Sequence, residues 1–149
     1  MRLLYFDDLK VGDRYESDAY QVSEAAIVDF AREFDVQPFH LDDAAAKETL
    51  FEGLAASGWH TAAIAMRLFT KTMRFEGGAV GLAVDELRWP LAVRPNDMIR
   101  LTTEILELRA SRSKPKYGIV RIRNVAQNQD GAVVLSFTAN ALVRRRPSA

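Results

Sequence analysis

The sequence predicts an α+β protein in which a curved antiparallel sheet wraps around one long, buried helix. Three observations predict it. Helical periodicity is confined to the first half of the chain, residues 59–74 form a long apolar segment with few charges in its first half, and everything after Gly78 reads as strands. Helices followed by a run of strands give an antiparallel sheet with its helices kept to one face. At 149 residues the chain fits one domain, expected over 1–149 with its core at about 7–143 and a short basic tail.

Residues 13–22 read as a short first strand. Ser23 stands where an N-cap is wanted, with Glu24 in the first turn, where a negative charge is favourable. Ile27, Phe30, Ala31 and Phe34 then follow the i, i+3, i+4, i+7 stripe of an amphipathic helix. That helix stops near Asp35, because Pro38 disfavours helical geometry at Gln37 and is expected to force an extended turn. A short helix is expected over 42–49, capped by Asp42. After a glycine-containing loop from Phe51 to Gly58, residues 59–74 form the buried helix, with Ala62, Met66, Phe69 and Met73 on one face, and Gly77-Gly78 end it. Strands are expected over 79–88, 98–108, 118–125 and 132–143. In the last, Val133, Leu135, Phe137, Ala139, Ala141 and Val143 share a face, and Asp130-Gly131 marks the hairpin before it. A single such layer leaves sheet edges open, so pairing through an edge strand into a homodimer or larger homo-oligomer is expected.

Composition narrows the function. Twenty Lys plus Arg balance twenty Asp plus Glu, which gives no general electrostatic case for nucleic acid or an acidic membrane as partner. With no cysteine there is no disulfide framework, thiolate nucleophile or cysteine-ligated metal. Two histidines twenty residues apart, without clustered carboxylates, make no metal-site pattern, so no metal or other cofactor is expected. The start, MRLLYFDDLK, lacks the basic, then apolar, pattern of a secretory signal, and nothing approaches the ~18 apolar residues of a membrane span. A cytoplasmic protein is expected.

Two constellations carry chemistry. The first is Asp35-Val36-Gln37-Pro38-Phe39-His40, in which a helix delivers a carboxylate and the following turn delivers an imidazole. Such a pair around one water can activate it and return the proton elsewhere, and histidine suits this because its unperturbed pKa lies near ~6.5. Taken alone, the spacing is also what ordinary loop residues show. The second is Ala56-Ser57-Gly58-Trp59-His60 at the start of the buried helix. A glycine lets a ligand approach the backbone, and the free N–H groups of a first turn favour developing negative charge. The plain alternative is that Gly58 relieves crowding. His60 reads as the buried partner of a backbone carbonyl, and Ser57 lacks the flanking glycines of a serine-hydrolase elbow. The basic residues Arg109, Arg112, Lys114 and Lys116, the run Arg144-Arg145-Arg146, and Arg88 and Arg94 are candidates for a phosphate-binding rim or for a solvated surface.

The two constellations, in this order, resemble the MaoC-like dehydratases, the family of the R-specific enoyl-CoA hydratases. That family carries an Asp-x-Asn-Pro-x-His motif followed by a glycine at the start of the central helix. Asp35, Pro38, His40 and Gly58 match, Gln37 replaces the Asn, and Ser57 stands where the family often has His. Residues 87–97 resemble the family's strand and its Pro-x-x-x-Gly-Asp-like turn, with Asn96 in place of the glycine. The resemblance spans roughly residues 7–143. It implies a hot-dog fold, a dimer and an acyl-CoA thioester as substrate. Asp35 and His40 would activate water for syn addition to a trans-2-enoyl thioester, or run the reverse dehydration, while Gly58 N–H polarises the carbonyl. Phe39, Phe51, Trp59 and Met66 are expected to line the acyl pocket, with Gln37, Ser57, Arg88 and Arg94 also at the substrate. Two rival functions remain within this fold: an acyl-CoA thioesterase, and a non-catalytic acyl-CoA-binding or interaction subunit.

Overall fold

Helix-forming and strand-forming stretches fall where the periodicities change, and the order in which they pair sets the architecture. The computed structural model describes residues 2–148; the expected domain, 1–149, includes Met1 and Ala149, which lie outside the described residues. A 3₁₀ turn at Phe6–Asp8 precedes two short strands, β1 (Arg14–Glu16) and β2 (Tyr20–Gln21). Helices α1 (Glu24–Phe34), α2 (Pro38–Leu41), α3 (Asp43–Ala46) and α4 (Gly58–Thr72) follow. Four long strands complete the chain: β3 (Ala79–Arg88), β4 (Met98–Ala110), β5 (Tyr117–Gln127) and β6 (Val133–Arg144). They form one antiparallel sheet in the order β1-β4-β5-β6-β3, with β2 also on β4. This is the α+β hot-dog arrangement the sequence predicts, with α4 packed on the sheet.

Three early expectations need correction. Residues 13–22 are two strands rather than one, because Ser17 interrupts the ladder: its hydroxyl accepts from Leu101 N (2.8 Å) and donates to the Asp18 carbonyl (2.8 Å). Pro38 does not force an extended turn through His40. Gln37 is extended (φ −135°, ψ 147°), as a residue before proline should be, and Pro38 then opens the one-turn helix α2. The short helix expected over 42–49 is confined to Asp43–Ala46, capped by Asp42 Oδ2 accepting from Ala45 N.

Ser23 caps α1 as expected, accepting from Ala26 N at 3.1 Å. Of the α1 stripe, Ile27 and Ala31 are fully buried, whereas Phe34 is 67 % exposed. The buried face of α4 is His60, Thr61, Ile64, Ala65, Leu68 and Phe69, not the face containing Met66, which is 48 % exposed. Both stripes of α4 are apolar, so periodicity alone does not choose between them; the sheet does. Phe69 and Met73 from the expected face are nevertheless in the core, which α4 shares with Ile99, Leu101, Ile105, Val120, Leu135 and Val143 of the strands.

Strand β3 lies at the sheet edge, and Val80, Leu82 and Val84 on it are each at least half exposed. Its register on β6 shifts between Asp85 and Arg88, where Glu86 has a φ of +52°. Such an irregularity bends a strand. Just beyond it, Trp89 reaches the start of α4. Leu68 tests the assignment of the α4 face. Leu68→Ala is expected to lower the unfolding free energy by about 2–5 kcal/mol in urea denaturation, as for a core leucine; a change within about 0.5 kcal/mol would place that face outside the core.

Candidate active site

Asp35 is the C-cap of α1, and its side chain is 19 % exposed. The tight connection that follows, with Gln37 N donating to Asp35 O (2.9 Å) and His40 N to Gln37 O (3.1 Å), brings His40 back beside it. His40 is buried, and its Nδ1 lies 2.6 Å from the Ala55 carbonyl. A carbonyl only accepts, so Nδ1 carries the proton in that contact, and Nε2 is the nitrogen left to exchange protons. Nε2 faces Asp35 Oδ2 at 3.4 Å. The ring is wedged edge-on against Phe39, with centroids 4.6 Å apart.

The carboxylate has two further partners. Ser57 Oγ donates to Oδ2 at 2.6 Å, and the Gln37 amide donates to Oδ1. Burial pulls the Asp35 carboxyl upward, but these two donors and the neighbouring imidazole charge outweigh it and hold the group below its ordinary value. Ser57 is the N-cap of α4, and Gly58 is its first residue. A first-turn N–H has no acceptor within its own helix, and among the described residues none is supplied to Gly58 N–H from elsewhere.

These groups open onto a cleft of about 350 Å³ lined by Asp35, Gln37, Phe39, His40, Phe51, Ala56, Gly58, Trp59, Thr61, Trp89 and residues 91–93. Trp89 closes one side. Its Nε1 donates to the Gly58 carbonyl (2.7 Å), and its ring stands edge-to-face against Trp59 with centroids 5.1 Å apart. The structure therefore brings together Asp35, Gln37, Phe39, His40, Phe51, Gly58 and Trp59, with Ser57 buried directly behind the lining.

Other candidates lie elsewhere. Met66 lines a separate apolar groove against β3. The Arg94 guanidinium is committed to the carbonyls of Phe51, Gly53 and Leu54, so it fastens the loop before α4 instead of forming a phosphate rim. Arg88 sits in a shallow depression with Glu86 and Arg123, and Arg146 bonds Asp8. Among the described residues no lysine or arginine lines the cleft. Among the described residues His60 has no carbonyl partner: it stacks on Phe30 of α1 (4.8 Å, 7°), and its Nδ1 makes no hydrogen bond with any of them. Burial there lowers its pKa. Sequence reasoning gave Trp89 no role, because a tryptophan before a proline gives no sign of reaching back thirty-one residues. Asn96, by contrast, has a φ of +71°, the left-handed geometry for which glycine or asparagine is suited, in the turn where Asp97 Oδ2 accepts from Arg94 N.

The family model described as the MaoC like domain matches residues 8–128. The chain belongs to the MaoC-like family. Its fold is shared with a MaoC-like dehydratase from Rhodospirillum rubrum (47 % identity, TM-score 0.92, covering 97 % of this chain and 99 % of that one). It is also similar to a monoamine oxidase regulatory protein from Archaeoglobus fulgius (27 %, TM-score 0.86, 97 % of each chain). A third similar structure is the R-hydratase PhaJ1 from Pseudomonas aeruginosa (26 %, TM-score 0.80, 97 % of this chain and 88 % of that one). Among the described residues of this MaoC-like protein, no helix is long and apolar enough to cross a membrane.

The hydrogen bonds to Asp35 have a measurable consequence. A carboxyl that ionises below its unfolded value contributes stability above the unfolded pKa near ~3.9, and that contribution is lost as pH falls through the folded value. The stability difference between wild type and Asp35→Asn should therefore shrink as pH is lowered from about 6 to 3, read by chemical denaturation at each pH. A difference independent of pH would contradict the geometry.

Proposed function

We propose that this MaoC-like protein reversibly adds water to a trans-2-enoyl-CoA-type thioester, giving the 3-hydroxyacyl thioester. The observation that carries the reading is the convergence, in one cleft, of the Asp35–His40 pair and the unpaired Gly58 N–H. An acid/base pair beside a fixed backbone donor is what conjugate addition to a thioester requires. Membership of the MaoC-like family and similarity to an R-hydratase support it.

In this reading a water lies between Asp35 and His40 Nε2. The nitrogen takes one proton as the water oxygen bonds to Cβ, and the resulting imidazolium is paired with the Asp35 carboxylate. The electron pair of the double bond moves toward the carbonyl oxygen, whose charge is received by Gly58 N–H and the first turn of α4. The imidazolium then returns the same proton to Cα, on the face from which water added. Dehydration is the reverse. Phe39, Phe51, Trp59 and Trp89 wall the cleft.

Asp35→Asn and His40→Ala are each expected to fold and to lower turnover by about 10²-fold or more. The assay follows loss of enoyl absorbance across trans-2-enoyl-CoA substrates of increasing chain length, with free thiol measured in parallel. Enoyl loss without thiol, abolished in Asp35→Asn, is the predicted result. Thiol release would make the protein a thioesterase, and binding without turnover would make it an acyl-CoA-binding subunit.

We further propose that two copies pair edge to edge through β3. Its exposed apolar residues border a groove of about 530 Å³ lined in part by Leu3, Met66 and Phe75, and an uncovered edge of this kind is a template for another strand. The wild type should sediment at twice the monomer mass, and Leu82→Arg should shift it to monomer. A monomeric wild type would refute the pairing.

A further inference from the structure

We infer that Ser57 is a positioning residue, which fixes the Asp35 carboxylate against His40 and ties that pair to the helix start presenting Gly58 N–H. The chemical consequence rests on the hydratase reading above; the contact itself does not. Ser57 has no exposed surface and does not line the cleft, so it neither touches substrate nor attacks it. Its hydroxyl has one proton, given to Asp35 Oδ2 at 2.6 Å, and its oxygen accepts from Trp59 N at 3.3 Å, capping α4. Oδ2 is also the oxygen that faces His40 Nε2, while Oδ1 takes the Gln37 amide. With a donor on each oxygen the carboxylate cannot turn about its Cβ–Cγ bond without losing both.

The two donors are not equivalent. Gln37 is exposed, so water competes for its bond, whereas Ser57 is enclosed, where a bond to an ionised group is stronger. One buried hydroxyl thus favours the charged form of Asp35 and ties it to the proposed oxyanion donor, because the same residue caps α4. If Ser57 only capped the helix, Asp35 would be indifferent to its side chain.

The test is a carbon-13 carboxyl NMR titration of Asp35 in the full chain, in wild type and in Ser57→Ala, Ser57→Gly and Ser57→Thr, alongside the hydration assay. Glycine caps a helix nearly as well as serine, so Ser57→Gly removes the donor with little loss of cap. The Asp35 midpoint is expected to rise in the Ala and Gly variants and to return toward wild type in Ser57→Thr. Turnover in the Ala and Gly variants should fall about ten-fold or more, as for loss of a hydrogen bond to a charged group. KM should stay within about two-fold, and the acidic limb of the kcat profile should move with the NMR midpoint. An unchanged midpoint in both variants overturns the inference, as does wild-type kcat with a shifted midpoint. A wild type that hydrates no enoyl thioester refutes the hydratase reading instead, and the titration still decides whether Ser57 governs Asp35.

Discussion

The 2.6 Å hydrogen bond from Ser57 to Asp35 joins the C-cap of one helix to the N-cap of another, and the rest of the site is arranged around it. Asp35 sits where α1 ends, Ser57 where α4 begins, and His40 is held between them by its second nitrogen on the Ala55 carbonyl. Each of the three side chains has its orientation set by a partner in a different element. The fold therefore supplies the site with rigidity that no single loop could provide. Arg94 adds to it, since its guanidinium donates to three carbonyls of the loop leading into α4.

A second constraint is the close approach of Trp89 to α4. A Cβ at position 58 would lie 2.7 Å from Trp89 Cε2, so with Trp89 where it stands the packing leaves no room for a side chain there. Crowding by Trp89 is thus compatible with the donor role proposed for Gly58. The indole that crowds the glycine also donates to its carbonyl and closes the cleft beside the helix start. The register shift in β3 between Asp85 and Arg88 comes immediately before Trp89. Sheet irregularity, helix-start glycine and aromatic wall form one structural unit.

Much of this was legible in the sequence, for reasons that particular residues make clear. The Ser23 cap, the extent of α4 and the four long strands are local properties, governed by periodicity and turn chemistry, and they appear within a residue or two of their expected bounds. The placing of Asp35 at a helix end followed from Pro38 in the same way. What periodicity could not supply was tertiary choice. Two apolar stripes on α4 competed for the sheet, and Met66 was placed on the wrong one. The strand expected over 13–22 broke because Ser17 trades a ladder bond for a side-chain bond with β4, a partner more than eighty residues away. Arg94 reads as a candidate for a phosphate-binding rim or a solvated surface because nothing local shows a guanidinium folded back onto carbonyls about forty residues earlier. His60 misled in the opposite sense: burial was foreseen, but its ring meets Phe30, which offers a face and no acceptor.

In the proposed reaction Asp35 and His40 act at the β-carbon of a thioester whose carbonyl oxygen rests on Gly58 N–H. The most direct measurement is a crystal structure of Asp35→Asn with a bound 3-hydroxyacyl-CoA thioester. The account predicts the 3-hydroxyl between residue 35 and His40 Nε2, and the thioester oxygen within hydrogen-bonding distance of Gly58 N, about 2.7–3.2 Å. A thioester whose carbonyl carbon, rather than its β-carbon, faced residue 35, or whose acyl group lay outside the cleft walled by Trp59 and Trp89, would contradict it.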